Sequence, residues 1–150
     1  MKKLFQVLAI SALVLTGLVA SASAQSVATS TKIKVDFDFN VGNQQLPAGE
    51  YRIKTLNDPQ PQKLFLVQRL DGKGQAIVSS IPNQNRGKVQ PGAVTFNKYG
   101  DQYFLGGVQL GDGSVNNEVT KSRTERNLLR MSVKIASAQP QQIVIPTTGQ

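Results

Sequence analysis

The run TKIKVDFDFNV, residues 31–41, constrains this chain more than any other feature. Ile33, Val35, Phe37, Phe39 and Val41 alternate strictly with Lys32, Lys34, Asp36, Asp38 and Asn40. A helix would scatter this pattern around its circumference. A strand, whose successive side chains point to opposite faces, gathers all the apolar residues on one side. The run therefore predicts one half-buried strand, with Phe37 and Phe39 in a core and Asp36 and Asp38 in solvent.

Further strands follow at regular spacing. Pro47 and Gly49 in LPAGEYRIKTL mark a turn before a strand from Tyr51 to Leu56. KLFLVQRL and QAIVSSI flank Asp71-Gly72-Lys73-Gly74, a strong hairpin signal. A polar loop, PNQNRGKVQPG, leads to AVTFNKY and QYFLGGVQL, which turn at Gly100-Asp101. QIVIP near the end adds a short last strand, and TTGQ reads as a loose tail. Six to seven strands joined by short turns predict a mainly β fold, an antiparallel sandwich or a small barrel.

One segment breaks the period of two. In NNEVTKSRTERNLLRMSVKIASA, Ser122 followed three residues later by Glu125 fits a capping box. Leu128, Leu129, Met131, Ile135 and Ala136 fall on one side of a helical wheel, and Arg123, Arg126, Arg130 and Lys134 form a stripe on the other. The pattern predicts a C-terminal amphipathic helix over residues 121–136. The alternation of Leu129, Met131, Val133 and Ile135 would also suit a strand, but the cap and the longer pattern favour the helix. The basic stripe is the candidate contact for an anionic surface, set against the commoner role of a solvated helix face.

The N-terminus carries an export signal. Met1-Lys2-Lys3 precedes the apolar run LFQVLAISALVLTGLV, and Ala22-Ser23-Ala24 supplies the small-x-small pattern of a cleavage site. A signal peptide over residues 1–24 is expected, leaving one domain over residues 25–150, secreted or periplasmic. No Cys near the cleavage site would take a lipid, and no later run is apolar enough to span a membrane. Losing Lys2 and Lys3 lowers the formal charge from +8 to +6. That balance suits an anionic polymer or lipid head groups, or solubility alone; no nucleic acid is expected as a partner. An exported chain without Cys must gain its stability from packing.

Catalytic chemistry is hard to assemble from these residues. There is no His and no Cys, so nucleophile–His pairs and His or Cys metal ligands are absent. Asp36 and Asp38 share a strand face about 7 Å apart, but they share it with Lys32 and Lys34, as a solvated charged face does. DGSVNNE places Asp112, Ser114, Asn116 and Glu118 as the first half of a calcium loop would, yet Asn117 and Arg123 stand where that loop needs Gly and Glu. No phosphate-binding or dinucleotide fingerprint is present. No catalytic residue, cofactor or metal is expected.

Phe96, Tyr99, Tyr103 and Phe104 form an aromatic cluster in FNKYGDQYFLGG. Strand alternation sends Tyr103 and Phe104 to opposite faces, so cross-strand and core packing explains them better than a ligand platform does. Gly106-Gly107 predicts a bulge or a close backbone approach.

The run VDFDFNVGNQQLPAGEY, then YGDQYFL, then KSRTERNLLR resembles a family of small, secreted, uncharacterised bacterial β-rich proteins. The resemblance covers most of the chain after residue 24. It implies the same compartment and a β-rich fold, and it carries no functional residue across. The functional expectation is an exported, non-enzymatic β-domain that binds an envelope partner or supports the envelope. A module binding an anionic surface or holding a ligand inside a barrel is the alternative, and a hydrolase is the weakest reading.

Overall fold

A computed structural model of the chain describes residues 30–56, 63–83, 92–111, 115–136 and 140–148. The expected signal peptide, the loop over residues 84–91, and Asp112 and Ser114 of the calcium-like string lie outside them. The described residues form ten strands and one helix in the order β1 (Ser30–Val35), β2 (Phe39–Val41), β3 (Gln44–Leu46), β4 (Gly49–Leu56), β5 (Lys63–Arg69), β6 (Gln75–Pro82), β7 (Ala93–Tyr99), β8 (Gln102–Gln109), β9 (Asn116–Val119), α1 (Arg123–Ala136) and β10 (Gln141–Pro146). No described helix is long and apolar enough to cross a membrane.

The strands belong to one mixed sheet. Its main path runs β1-β4-β5-β6-β9-β8-β2-β3, with β7 on the other edge of β8 and β10 on β7. β2 and β9 divide the remaining edge of β8. Asn40 lies opposite Phe104 in a parallel pairing, and Asn116–Glu118 lies opposite Gly107–Gln109. The sheet stays open between β1 and β10, but it curls until the two approach, and Thr148 N donates to Lys32 O at 2.9 Å. The result is a mainly β, sandwich-like architecture, with one parallel contact where antiparallel pairing alone was expected.

The opening run is two strands rather than one. The chain bends at Asp36–Asp38 because β1 pairs with β4, whereas β2 pairs with β3 and β8 on another part of the sheet. Asp38 steadies the bend by accepting a hydrogen bond from Ala48 N at 2.8 Å. Asp36 and Asp38 are exposed as the alternation predicts, and Phe39 is fully buried. Phe37 is only partly buried, because it sits on the bend. Its ring stacks on Tyr103 at 4.1 Å and meets Phe96 edge-on at 5.4 Å. β3 and β9 carry too few apolar residues to announce themselves as strands: QQL and NNEV.

The core fills the inside of the curl. Phe39 meets Tyr51 of β4 at 5.1 Å and Phe96 of β7 at 5.2 Å, both edge-on. Ile33, Val35, Ile53, Phe65, Val67, Leu105 and Val108 pack around them, nearly fully buried. The Tyr51 hydroxyl donates to Pro47 O, tying the LPAGEY turn to the core. The predicted hairpin of β5 and β6 forms, as does the tight turn of β7 and β8, where Gly100 takes the positive φ of 60° that such turns require.

Packing of this kind ranks the first residues of the chain by burial. Phe39→Ala should cost about 3–5 kcal/mol, the range for a lost core aromatic. Phe37→Ala should cost clearly less, and Asp38→Asn, which keeps the accepting oxygen, should stay within about 0.5 kcal/mol. Urea melts of the three variants check the order; equal losses for Phe37→Ala and Phe39→Ala would contradict the bend.

Candidate functional site

Helix α1 carries the predicted basic stripe. Ser122 caps it, accepting from Glu125 N at 3.1 Å, as the S-x-x-E spacing predicts. Arg123, Arg126 and Arg130 are exposed on its outer side. Arg126 donates to Lys121 O at 2.7 Å, closing the first turn. Lys134 lies on the same helix, and its side chain is outside the described residues. Lys121 pairs with Glu118 at 2.7 Å, which makes Glu118 an ion-pair partner in the strand before the helix. Among the described residues no carboxylate pairs with Arg123, Arg126 or Arg130. No group of three or more His, Cys, Asp or Glu residues able to hold a metal occurs among them either.

The inner side of the helix differs from expectation. Leu128 and Leu129 are half-buried, but Met131 is 51% exposed. The reason is the anchor. Glu125, 2% exposed, lies at the centre of the docked side, and Met131 stands six residues on, about 120° around the helix from it. Glu125 Oε1 accepts hydrogen bonds from Asn97 Nδ2 at 2.9 Å and from the Tyr99 hydroxyl at 3.2 Å. Both donors come from the outer face of β7, against which α1 lies. Burial, then the Glu125 charge and its hydrogen bond, push the Tyr99 hydroxyl far above its ordinary pKa.

Gly106 makes room for this contact. The register between β7 and β8 skips Gly106, so a bulge forms there as predicted. A Cβ on Gly106 would fall 2.9 Å from Asn97 Nδ2, the donor to Glu125. A Cβ on Gly107 would fall 2.8 Å from Thr95 Oγ1. The missing side chain of Gly106 thus leaves room for Asn97 to reach the helix, and that of Gly107 leaves room for Thr95 and the β9 backbone.

The aromatic cluster divides between the two faces of the hairpin. Phe96 joins the inner core, Tyr103 stacks on Phe37, and Tyr99 meets Phe104 edge-on at 5.8 Å on the face shared with Asn97 and α1. A cavity of about 20 Å³ lies at the far end of the hairpin, lined by Thr95, Gln109, Asn116 and Asn117 among others. Gln109 Oε1, buried without a protein partner, belongs to this region. The space suits one water molecule rather than a ligand.

A second feature lies on the opposite part of the sheet. The outward residues of β1, β4, β5 and β6 include Lys32, Arg52, Lys54, Leu64, Leu66 and Ile77; their inward neighbours are buried. Ile77 is 61% exposed. Asp36 makes a 3.9 Å pair with Lys34 in solvent, and Asp38 accepts from Ala48 N.

No protein-family model, no curated protein and no solved structure matches this chain.

Glu125 should matter to stability and the arginines should not. Glu125→Ala strands two buried donors and should cost about 2–3 kcal/mol, whereas the Arg123→Gln, Arg126→Gln, Arg130→Gln triple variant should stay within about 0.5 kcal/mol, both read from thermal or urea unfolding. The Tyr99 shift has a sign that can be tested. A hydroxyl held protonated in the fold stabilises it fully below the ordinary value of 10.0, and that contribution is lost as pH rises beyond it. Tyr99→Phe should therefore show a shallower loss of stability with pH above about 10 than the wild type.

Proposed function

We propose that the chain is an exported, non-enzymatic β-domain that acts at the cell envelope by binding through its outer surface. One observation carries this reading. The inside of the curled sheet is occupied by Phe39, Tyr51, Phe65 and Phe96, each fully buried, so the fold offers its chemistry outward. A packed core is what a partner-binding domain needs and what a carrier of small apolar ligands lacks. The leader-like first 24 residues and the Ala22-Ser23-Ala24 site support export. Three of the described carboxylates make structural contacts: Asp38 holds a bend, Glu118 pairs with Lys121, and Glu125 anchors a helix. These roles weaken the hydrolase reading.

Two measurements test the proposal. Cell fractionation with N-terminal sequencing should recover a form outside the cytoplasm that begins at Gln25. Titration of that form with a neutral fluorescent apolar probe should show no saturable uptake. A one-to-one complex quenched inside the sheet would replace this reading with that of a ligand carrier.

A further inference from the structure

We propose that the outward face of β1, β4, β5 and β6 docks on an anionic phospholipid surface, with Lys32, Arg52 and Lys54 at the phosphates and Leu64, Leu66 and Ile77 at the chains beneath. The inference rests on the reading of the chain as an exported domain that binds through its surface.

Register places like charges together. Lys32 lies directly opposite Arg52 across the β1–β4 pair, and Lys54 lies two residues along β4 on the same face. Like charges opposite one another destabilise a sheet, so folding alone gives no reason for the arrangement. Among the described residues none of the three cations has an ion-pair partner. The one acid of this β4 row, Glu50, lies at its end, opposite Lys34.

The aliphatic residues border the cationic row at its Lys54 end, while Arg52 lies opposite Gln68. Lys54 is opposite Leu66, and Leu66 is opposite Ile77 on β6. With strands about 4.8 Å apart, charge gives way to hydrocarbon over roughly 10 Å of one face. Long Lys and Arg stems can lie along such a surface while their heads reach outward. Cations beside the exposed Ile77 and the half-buried Leu64 and Leu66 supply the two signals that membrane attachment needs, one electrostatic and one apolar.

The alternatives fit less well. A second copy would bring the same cations face to face, on a processed chain with a formal charge of +6. A protein partner usually finds aromatic anchors at the centre of its interface, and these rows contain none. The arginines of α1 lie on a different element and have no exposed aliphatic row opposite them in a sheet.

Sedimentation of the processed chain with vesicles tests the assignment. Vesicles of phosphatidylcholine mixed with phosphatidylglycerol should carry the protein down, and phosphatidylcholine alone should not. The Lys32→Gln, Arg52→Gln, Lys54→Gln triple variant should lose about tenfold or more in affinity, and added salt should weaken the wild type likewise. Ile77→Ser should weaken binding at unchanged charge, while the triple Gln variant of Arg123, Arg126 and Arg130 should bind as the wild type does. Circular dichroism confirms that each variant is folded. Inorganic phosphate at millimolar concentration should not compete; full competition would assign the cations to a free anion and overturn the lipid surface. Equal binding by the sheet-face variants, or a photo-crosslinker at position 77 that captures an envelope protein while vesicles are ignored, would overturn it too. A chain found only in the cytoplasm defeats the export reading whatever the vesicles show. An exported chain that ignores them defeats the lipid assignment alone.

Discussion

Phe39 holds the two halves of this fold together. Its ring meets Tyr51 on one part of the sheet and Phe96 on another, in edge contacts of 5.1 and 5.2 Å. A single curled sheet has no second layer to complete its core, so something must bridge across the inside. Placing Phe39 there requires the chain to leave β1 before it reaches this residue. The bend at Asp36–Asp38, fastened by Ala48 N, is the consequence. The parallel contact of Asn40 with Phe104 follows from the same displacement, since β2 arrives beside β8 rather than beside its own predecessor.

Periodicity made most of this fold legible. The first half of the opening run, which alternates strictly, and β4 to β8, whose apolar runs lie between turn residues, stand where the sequence puts them, and the capped segment is a helix. Alternation reports which face a residue occupies, not whether the strand is continuous. Ile33 and Phe39 satisfy one pattern although a bend divides them. β3 and β9 escaped notice for a related reason: strands of three and four residues, rich in Gln and Asn, are stabilised by the ladders of their neighbours rather than by their own composition.

The buried carboxylate was legible only in part. The spacing of Ser122 and Glu125 announced a helix start, and the start is there. That Glu125 would turn into the sheet depends on Asn97 and Tyr99, 28 and 26 residues away in sequence, and no local pattern joins them. The remaining trace is Gly106-Gly107, a pair that signals close approach without naming what approaches. Met131 was misplaced for the same reason. Hydrophobic periodicity finds the apolar side of a helix, but a single buried polar anchor sets which part of that side meets the sheet.

The two outer faces of the sheet are thus treated differently by one chain. Over β7, the helix meets Asn97 and Tyr99, whose polar groups find a partner in Glu125. Over β4 to β6, Ile77 stays exposed beside a half-buried Leu66, and Lys32 keeps its like-charged neighbour. Burying a polar group demands a partner, so the first face accounts for itself by internal hydrogen bonds. Exposed aliphatic side chains beside unpaired cations do not improve the isolated fold. The Arg123, Arg126 and Arg130 stripe, by contrast, belongs to a helix whose outer side would carry charge for solvation alone. The interaction surface is therefore better sought where the chain tolerates an unfavourable arrangement than where it displays the most charge.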